Sequence, residues 1–369
     1  MKRKIYSVIL SAVIACGILL SGCDGLSGGY VKISSLDDLY AMASNKSYEL
    51  TCDLDLNGGE WYPLAVKNFN GNGYTIKNGY IIETTENQSS GFFTSVNTLE
   101  NVAFDNIQVN VTFSDDTQGT YNGGIIVGEA KTVDRVTITD SKGCTLTANA
   151  KWYQKNVTLM YSTSSAYVGG IAGGTADNAN IKYCFSESND FYVYSSGNLY
   201  VGGIAGEMQS GMLTQSYAKS NYIETGSYME GNKDSVERRA GGLVGSAKSS
   251  TISSCFAYND GAFIEKSSGF ANDEDSEFAG LIASAKSASV MNCATYNKDI
   301  KSVITDEFIT GAAGSTDNCY VSATTYGNAR GCEILSEEFW VSPNLLQDKL
   351  NLFGFYWDLT AGELPRLKI

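Results

Sequence analysis

"YVGGIAG" occurs twice in this chain, at Tyr167–Gly173 and again at Tyr200–Gly206, 33 positions apart. Relatives of the phrase flank the two copies: "NGGIIVG" (Asn122–Gly128), "AGGLVGS" (Ala240–Ser246), "FAGLIAS" (Phe278–Ser284) and a worn "ITGAAGS" (Ile309–Ser315). Their glycine pairs, or the residues standing in for them, begin at 123, 169, 202, 241, 279 and 311. The intervals of 46, 33, 39, 38 and 32 residues fall in the range of solenoids and propellers. A second element follows each phrase: "IKYCFSES" from Ile181, "LTQSYAKS" from Leu213, "ISSCFAYN" from Ile252 and "VMNCATYN" from Val290. Both elements are short, β-branched or aromatic, and bounded by Gly, Ser or Asn, so they read as strands and turns rather than helices.

One such repeat cannot bury its apolar face alone. Stacking like coils gives every backbone group a partner in the coil above and below, with strands about 4.8 Å apart. The fold expected is therefore all-β, a single-stranded parallel β-helix, right-handed, with short helical caps at both ends. Glycine columns suit it, because a position without a side chain lets the chain turn a tight corner or approach its neighbours closely. A β-propeller needs four-stranded blades joined by hairpins, and neither an Asn-Gly or Asp-Gly hairpin series nor a Trp-Asp blade signature is present. A phosphate loop is also excluded: "GGIAG" opens no helix and no Lys-Ser or Lys-Thr follows it.

Composition narrows the chemistry. The 369 residues include 39 Gly, 23 Tyr, 3 Pro and no His. Without His, Ser-His-Asp and Cys-His mechanisms and most zinc sites are excluded. No cofactor is expected. The net charge is −14, and because the first 22 residues carry three cations and no acid, the remainder carries −17. Such a surface repels nucleic acid and other polyanions.

The first segment reads as an address. "MKRKIYSVILSAVIACGILLSGC" has a basic start and an apolar run from Ile5 to Leu20, short for a membrane-spanning helix and suited to a secretory signal. Its end, Leu20-Ser21-Gly22-Cys23, resembles the lipobox of bacterial lipoproteins, which implies lipidation of Cys23 and an extracytoplasmic, membrane-anchored chain at the cell surface. Only Asp24–Gly29 would separate the lipid from the body, a reach of about 20 Å.

The repeats carry a further resemblance. "GGLVG" at Gly241–Gly245, followed by Ile252 and Cys255, is similar to the bacterial GLUG repeat of secreted and surface proteins. The opening from Tyr30, with "CDLDLNGGEWYPLAVKNFNGNGYTI", and the close "FYWDLTAGELPRLKI" resemble the lead-in and ending of such proteins. The organisation that follows is a signal peptide at 1–22, a tether at 23–29, a cap helix and first coils at 30–120, repeat coils at 121–330 and a C-terminal cap at 331–369. Ser35-Leu36-Asp37-Asp38 reads as a capping-box helix start that plugs the first coil. Ser342-Pro343 starts a second helix that runs towards Gly354 and is expected to close the other end.

Three residue classes are candidates for chemistry. Cys184, Cys255, Cys293 and Cys319 share one register, with Ser216 interrupting it, so they should form an interior column. Parallel-stacked thiols point the same way, which favours free thiols; a disulfide among Cys255, Cys293 and Cys319, or a metal site, are the alternatives. Asp273, Asp275 and Glu277 fall in the acidic stretch "ANDEDSE", a candidate calcium loop that lacks EF-hand spacing and is otherwise a solvated turn. Tyr192, Tyr194, Tyr200, Tyr217, Tyr222 and Tyr258 lie at strand ends, where a flat face of Tyr, Asn and Ser could stack on sugars; β-propensity alone would also place Tyr there.

No residue is assigned a catalytic role. The expected function is adhesin-like recognition of a glycan or extracellular protein ligand by the solenoid face of a membrane-anchored lipoprotein. The alternatives are a β-helix lyase or hydrolase, for which Asp53 and Asp55 would be alternate acids of one strand, and a cell-envelope scaffold.

Overall fold

The structure is a computed structural model, and it describes residues 29–85, 89–113, 120–148, 165–194, 198–226, 237–258, 261–264, 276–296, 307–312, 315–322, 333–352 and 354–368. It is an all-β parallel β-helix. One coil shows the plan, with strands at Leu199–Gly202, Ala205–Gln209, Met212–Thr214, Tyr217–Lys219 and Tyr222–Gly226. Each pairs in parallel with its equivalent in neighbouring coils; Leu199–Gly202, for example, lies between Ala166–Gly169 and Arg238–Gly241. Strands of the first four positions join one 25-stranded sheet, and strands of the fifth position form a separate 7-stranded sheet. The ladders run from coil to coil rather than within blades, so the propeller is excluded.

The repeated phrase makes the first corner of each coil. Tyr167 to Gly169 pair with Tyr200 to Gly202, and the chain turns at Gly203-Ile204 into the second strand. A Cβ on Gly202 would overlap the carbonyl oxygen of Ala205 in its own turn. One on Gly206 would overlap the backbone nitrogen of Val168 in the preceding coil. These glycines allow close approach, and none of them has a positive φ.

Left-handed backbone is instead supplied by polar residues at the later corners, Ser210 (φ 51°), Gln215 (φ 48°) and Ser220 (φ 55°) in this coil. The corner before the cysteine column repeats the conformation at Arg135, Tyr183, Ser254, Asn292 and Asn318. Two details of register differ from the expectation. Gly124 rather than Gly123 pairs with Gly169, because the corner at Ile125-Ile126 has apolar residues where later copies have Gly and Ile. Gly311 pairs with Ala285 rather than Ala279, since the strand Glu307–Ala312 passes the corner with two register shifts.

Inside the coils lies a continuous core of Ile, Leu, Val and Phe. Its two interior columns of polar atoms are satisfied by the stack itself. The Asn189 side-chain oxygen accepts from the Ser141 backbone N–H (2.9 Å), and that of Asn221 accepts from the Asn189 N–H (3.1 Å). The cysteine column consists of free thiols. Each thiol donates to the carbonyl two residues before it, as Cys255 does to Ser253 (3.2 Å), and Ser216 donates to Thr214 (2.8 Å) in the same way.

The helix Leu36–Tyr40 begins as expected at Ser35, whose hydroxyl accepts from the Asp38 N–H (3.2 Å), and it buries Leu39 in the core. The Asp38 carboxylate returns to the N–H (2.9 Å) and hydroxyl of Ser34, one residue earlier than a capping box requires. Those bonds hold its pKa below the usual carboxylate value.

The C-terminal cap departs from the expectation. After the last strand, Glu333–Leu335, a 3-10 turn (Glu337–Val341), the helix Pro343–Leu350 and a short antiparallel pair (Trp357–Asp358 with Arg366–Leu367) double back along the side of the solenoid. They bury Phe339, Trp340, Leu346, Leu350 and Trp357 against two neighbouring register columns, Tyr217, Phe256, Ala294 and Tyr320 in one and Tyr258 and Tyr296 in the other, a core separate from the interior one. Trp357 Nε1 donates to Gln215 (2.6 Å), and Tyr356 stacks on Tyr183 with centroids 4.2 Å apart. The described residues of the cap thus cover a lateral face.

Candidate functional site

The cap decides the fate of the expected tyrosines. Tyr217 is 2% exposed, stacked between Phe185 (5.0 Å) and Phe256 (4.9 Å) beneath Trp357. Tyr258 stacks on Tyr296 at 4.8 Å and meets the edge of Trp340. Both belong to the seam between cap and solenoid; Tyr217 is buried there, and Tyr258 is half-buried with its ring engaged by Tyr296 and Trp340. The reason is a long-range one: the aromatic partners come from a segment more than 80 positions further along the chain.

Tyr200 belongs to a different group. It stacks on Tyr167 at 5.0 Å, and its hydroxyl donates to Glu237 (2.6 Å). Beside it Lys248 donates to the buried Glu207 (2.6 Å) and lies 5.7 Å from the Tyr167 ring. Burial first, and then the Glu237 hydrogen bond, push the Tyr200 hydroxyl well above the ordinary tyrosine value. This interlocked group braces the first corner across neighbouring coils.

Tyr192 and Tyr222 remain partly exposed, together on the fifth-strand sheet. Alternation places buried Phe191, Val193, Ile223 and Thr225 inward and Asp190, Tyr192, Tyr222 and Glu224 outward. In register Asp190 opposes Tyr222, and Tyr192 opposes Glu224. The rings sit 6.0 Å apart and tilted by 56°, and the Tyr222 hydroxyl donates to Glu224 (3.0 Å). Burial, followed by the nearby carboxylates, raises both phenol pKa values, so the hydroxyls stay protonated at neutral pH. Tyr194 follows on the same strand, paired in register with Gly226.

The rest of this face is mixed, with Ile82 at the register position of Asn110 and Phe263 at that of Glu224. Tyr80, Gln108 and Lys142 continue the register position of Asp190 and Tyr222. The Asn110 amide donates to the Tyr80 hydroxyl (2.7 Å), and a groove of about 380 Å³ beside it is lined by Asn57, Asn78, Asn106 and Gln108. Aromatic rings, amides and carboxylates on a flat surface can stack on a sugar ring and exchange hydrogen bonds with its hydroxyls. The segments of most variable length all leave the end of this sheet: after Phe113, Ala148, Tyr194, Gly226 and Ile264 the chain re-enters at Tyr121, Ala166, Leu199, Arg238 and Ser276.

The other candidates fall elsewhere. Asp53 accepts from the Thr75 N–H (2.9 Å) and precedes the strand Leu54–Asp55. Asp55 accepts from the Asn57 N–H (2.9 Å) and the Asn78 amide (2.8 Å), with Lys77 at 3.6 Å. The Asn78 bond and the Asn57 N–H lower the Asp55 pKa. The two acids fix turns and do not form a pair on one strand. Cys23, Asp273 and Asp275 lie outside the described residues, and Glu277 is placed only by its backbone, opposite Arg239.

No family profile and no curated protein matches the chain. Among solved structures it is similar to a Bacteroides ovatus protein provisionally named an immunoglobulin A1 protease, with a TM-score of 0.46, 15% identity and 96% of each chain covered. It is also similar to a structure named IgA1 protease, with a TM-score of 0.35 and 14% identity; 87% of this chain matches 24% of that one.

Proposed function

We propose that this chain is an extracytoplasmic lipoprotein of the GLUG-repeat type, anchored through Cys23, whose fifth-strand face binds a glycan or an extracellular protein in an adhesin-like role. The observation that carries the reading is the paired, partly exposed Tyr192 and Tyr222, flanked by Asp190 and Glu224. Isolated exposed tyrosines are ordinary on strands, but a tilted pair with carboxylates at its edge can serve as a platform and hydrogen-bonding rim. The lipobox at Leu20–Cys23 supports the address, and the net charge favours a neutral or basic ligand over a polyanion.

The test is binding of the full chain to arrays of glycans, mucins and matrix proteins. Tyr192→Ala with Tyr222→Ala should lower the captured signal about tenfold or more while leaving circular dichroism unchanged. A folded protein that captures nothing, or a double variant that binds as well as the parent, would overturn the proposal. Labelling with palmitate should mark the parent chain and not Cys23→Ala.

A further inference from the structure

The seven large apolar side chains that stand exposed among the described residues are unevenly placed. Val31 (48%), Tyr40 (48%) and Tyr62 (70%) belong to the first coils, and Ile334, Leu345 and Phe355 to the C-terminal cap; between Tyr62 and Met212 the described residues expose none. The first three mark the amino-terminal end of the solenoid. Leu99, Phe69 and Tyr48, all buried, form one interior register column, and Val31 is its last member. Among the described residues no strand pairs with Tyr30–Ile33 on its other side, so Val31 is left uncovered.

The other two lie across the same end. The strands Leu54–Asp55 and Glu60–Trp61 also pair on one side only, with Thr75–Lys77 and Tyr80–Thr85. The helix Leu36–Tyr40 turns Leu39 into the core and carries Tyr40 to this edge, its ring 6.0 Å from that of Trp61. Trp61 is buried against Phe92, whereas the next residue, Tyr62, faces outward and its hydroxyl donates to Glu60 (3.0 Å). Exposed Lys32, Asp37 and Lys46 belong to the same first turn of chain.

This is also the end at which the chain enters. Tyr30 opens the outermost strand, and the six residues Asp24–Gly29 separate it from Cys23, a reach of about 20 Å. The geometry points to the amino-terminal end of the solenoid as a membrane-docking surface, with Val31, Tyr40 and Tyr62 resting in the headgroup region of the bilayer that holds the lipid on Cys23. The inference rests on the anchoring proposed above. Tyrosine suits that depth, since its ring takes apolar contact while its hydroxyl stays hydrated. A second copy is the other occupant that an open strand edge invites, but Lys32 on a strand of four residues works against such pairing. The tether opposes it too, because a copy stacked on this end would stand between the solenoid and a bilayer only about 20 Å away. Docked in this way, the solenoid rises from the membrane by about 4.8 Å per coil, which places Tyr192 and Tyr222 about 20 to 25 Å beyond the first coil.

The test uses the full chain, extracted from the membranes of the producing cells and returned to vesicles of phosphatidylethanolamine and phosphatidylglycerol that carry a photoactivatable phospholipid. Adducts mapped by mass spectrometry should fall on the peptides of Val31, Tyr40 and Tyr62 about tenfold above those of Met212 and Phe355. Lengthening the tether by about ten Gly and Ser residues after Gly29 should leave that pattern in place. In the lengthened chain Tyr40→Ser with Tyr62→Ser should lower the adducts about fivefold, with circular dichroism unchanged. Even labelling along the solenoid, loss of the pattern on lengthening alone, an unchanged pattern in the serine variant, or dimers cross-linked through Tyr30–Ile33 would overturn the inference while palmitate labelling at Cys23 persists. Absence of the palmitate label would remove the anchor and the docking surface together.

Discussion

Cys184 and Ser216 occupy equivalent places in successive coils, and each donates to the carbonyl two residues earlier. The thiol is therefore a small buried donor. Burial pushes the Cys184 pKa up to about 12 and raises that of Cys293 well above its ordinary value. In the unfolded chain such thiols ionise near about 8.5. Below that pH both states hold the protons, and stability does not depend on them. Above it the unfolded state releases protons that the folded state retains, so stability falls as pH rises towards 12. The melting temperature should be flat to about pH 8 and decline from about pH 9 to 11. Cys184→Ser, which copies the hydroxyl that Ser216 already places in this column, should make the decline shallower. A slope identical in parent and variant would show that Cys184 contributes nothing to it. The tyrosines show where reading residues singly stops: six looked alike in the sequence, yet Tyr217 and Tyr258 lie in the seam, Tyr200 braces a corner and Tyr192 and Tyr222 face outward.

Among the elements, the first corner is the most tightly specified. Gly206 faces the backbone of Val168 in the coil before it, with no flexible side chain to give way. Gly206→Ala should cost about 1–3 kcal/mol, read as a lowered urea midpoint. Gly354→Ala is the matched control, since only the end of the Gln347 side chain comes near (3.8 Å), and it should change little. Equal losses in the two variants would remove the close-approach account of the repeated phrase. This corner was legible in the sequence because steric demand leaves glycine as its trace. The later corners were not, because Ser, Gln, Arg, Tyr and Asn all supply the left-handed turn and share no single residue type. Counting glycine pairs rather than strands also placed the copy at 122–128 one residue out of register.

For the molecule as a whole, the cap is the feature that sequence patterning could not place. A close with an aromatic-Trp-Asp segment followed by Pro-Arg-Leu reads as an end piece, whereas the contacts that orient it join residues such as Gln215 and Trp357 that are 142 positions apart. Ending the chain before Glu333 should uncover Phe256, Tyr217, Tyr296 and Tyr320 as a continuous apolar strip. The shortened protein should keep its far-ultraviolet strand signal, bind a hydrophobic dye strongly and self-associate in light scattering. A shortened chain that stays monomeric and dye-negative would show that the strip does not need its cover. The aromatics and the cap end together: at the ladder positions of Phe185 and Glu187 the preceding coil has Thr137 and Thr139.

One consequence follows from where the chain leaves each coil. The fifth strands stay paired in parallel whether the segment behind them is as short as that between Tyr194 and Leu199 or as long as that between Ala148 and Ala166, although the strand before the longest one, Lys142–Ala148, shifts register against both neighbours. Winding thus continues across insertions of different length, at the cost of a local shift beside the longest. Change in length at that one edge is absorbed locally, so the segments beside Tyr192 and Tyr222 can differ from coil to coil while the parallel stacking continues.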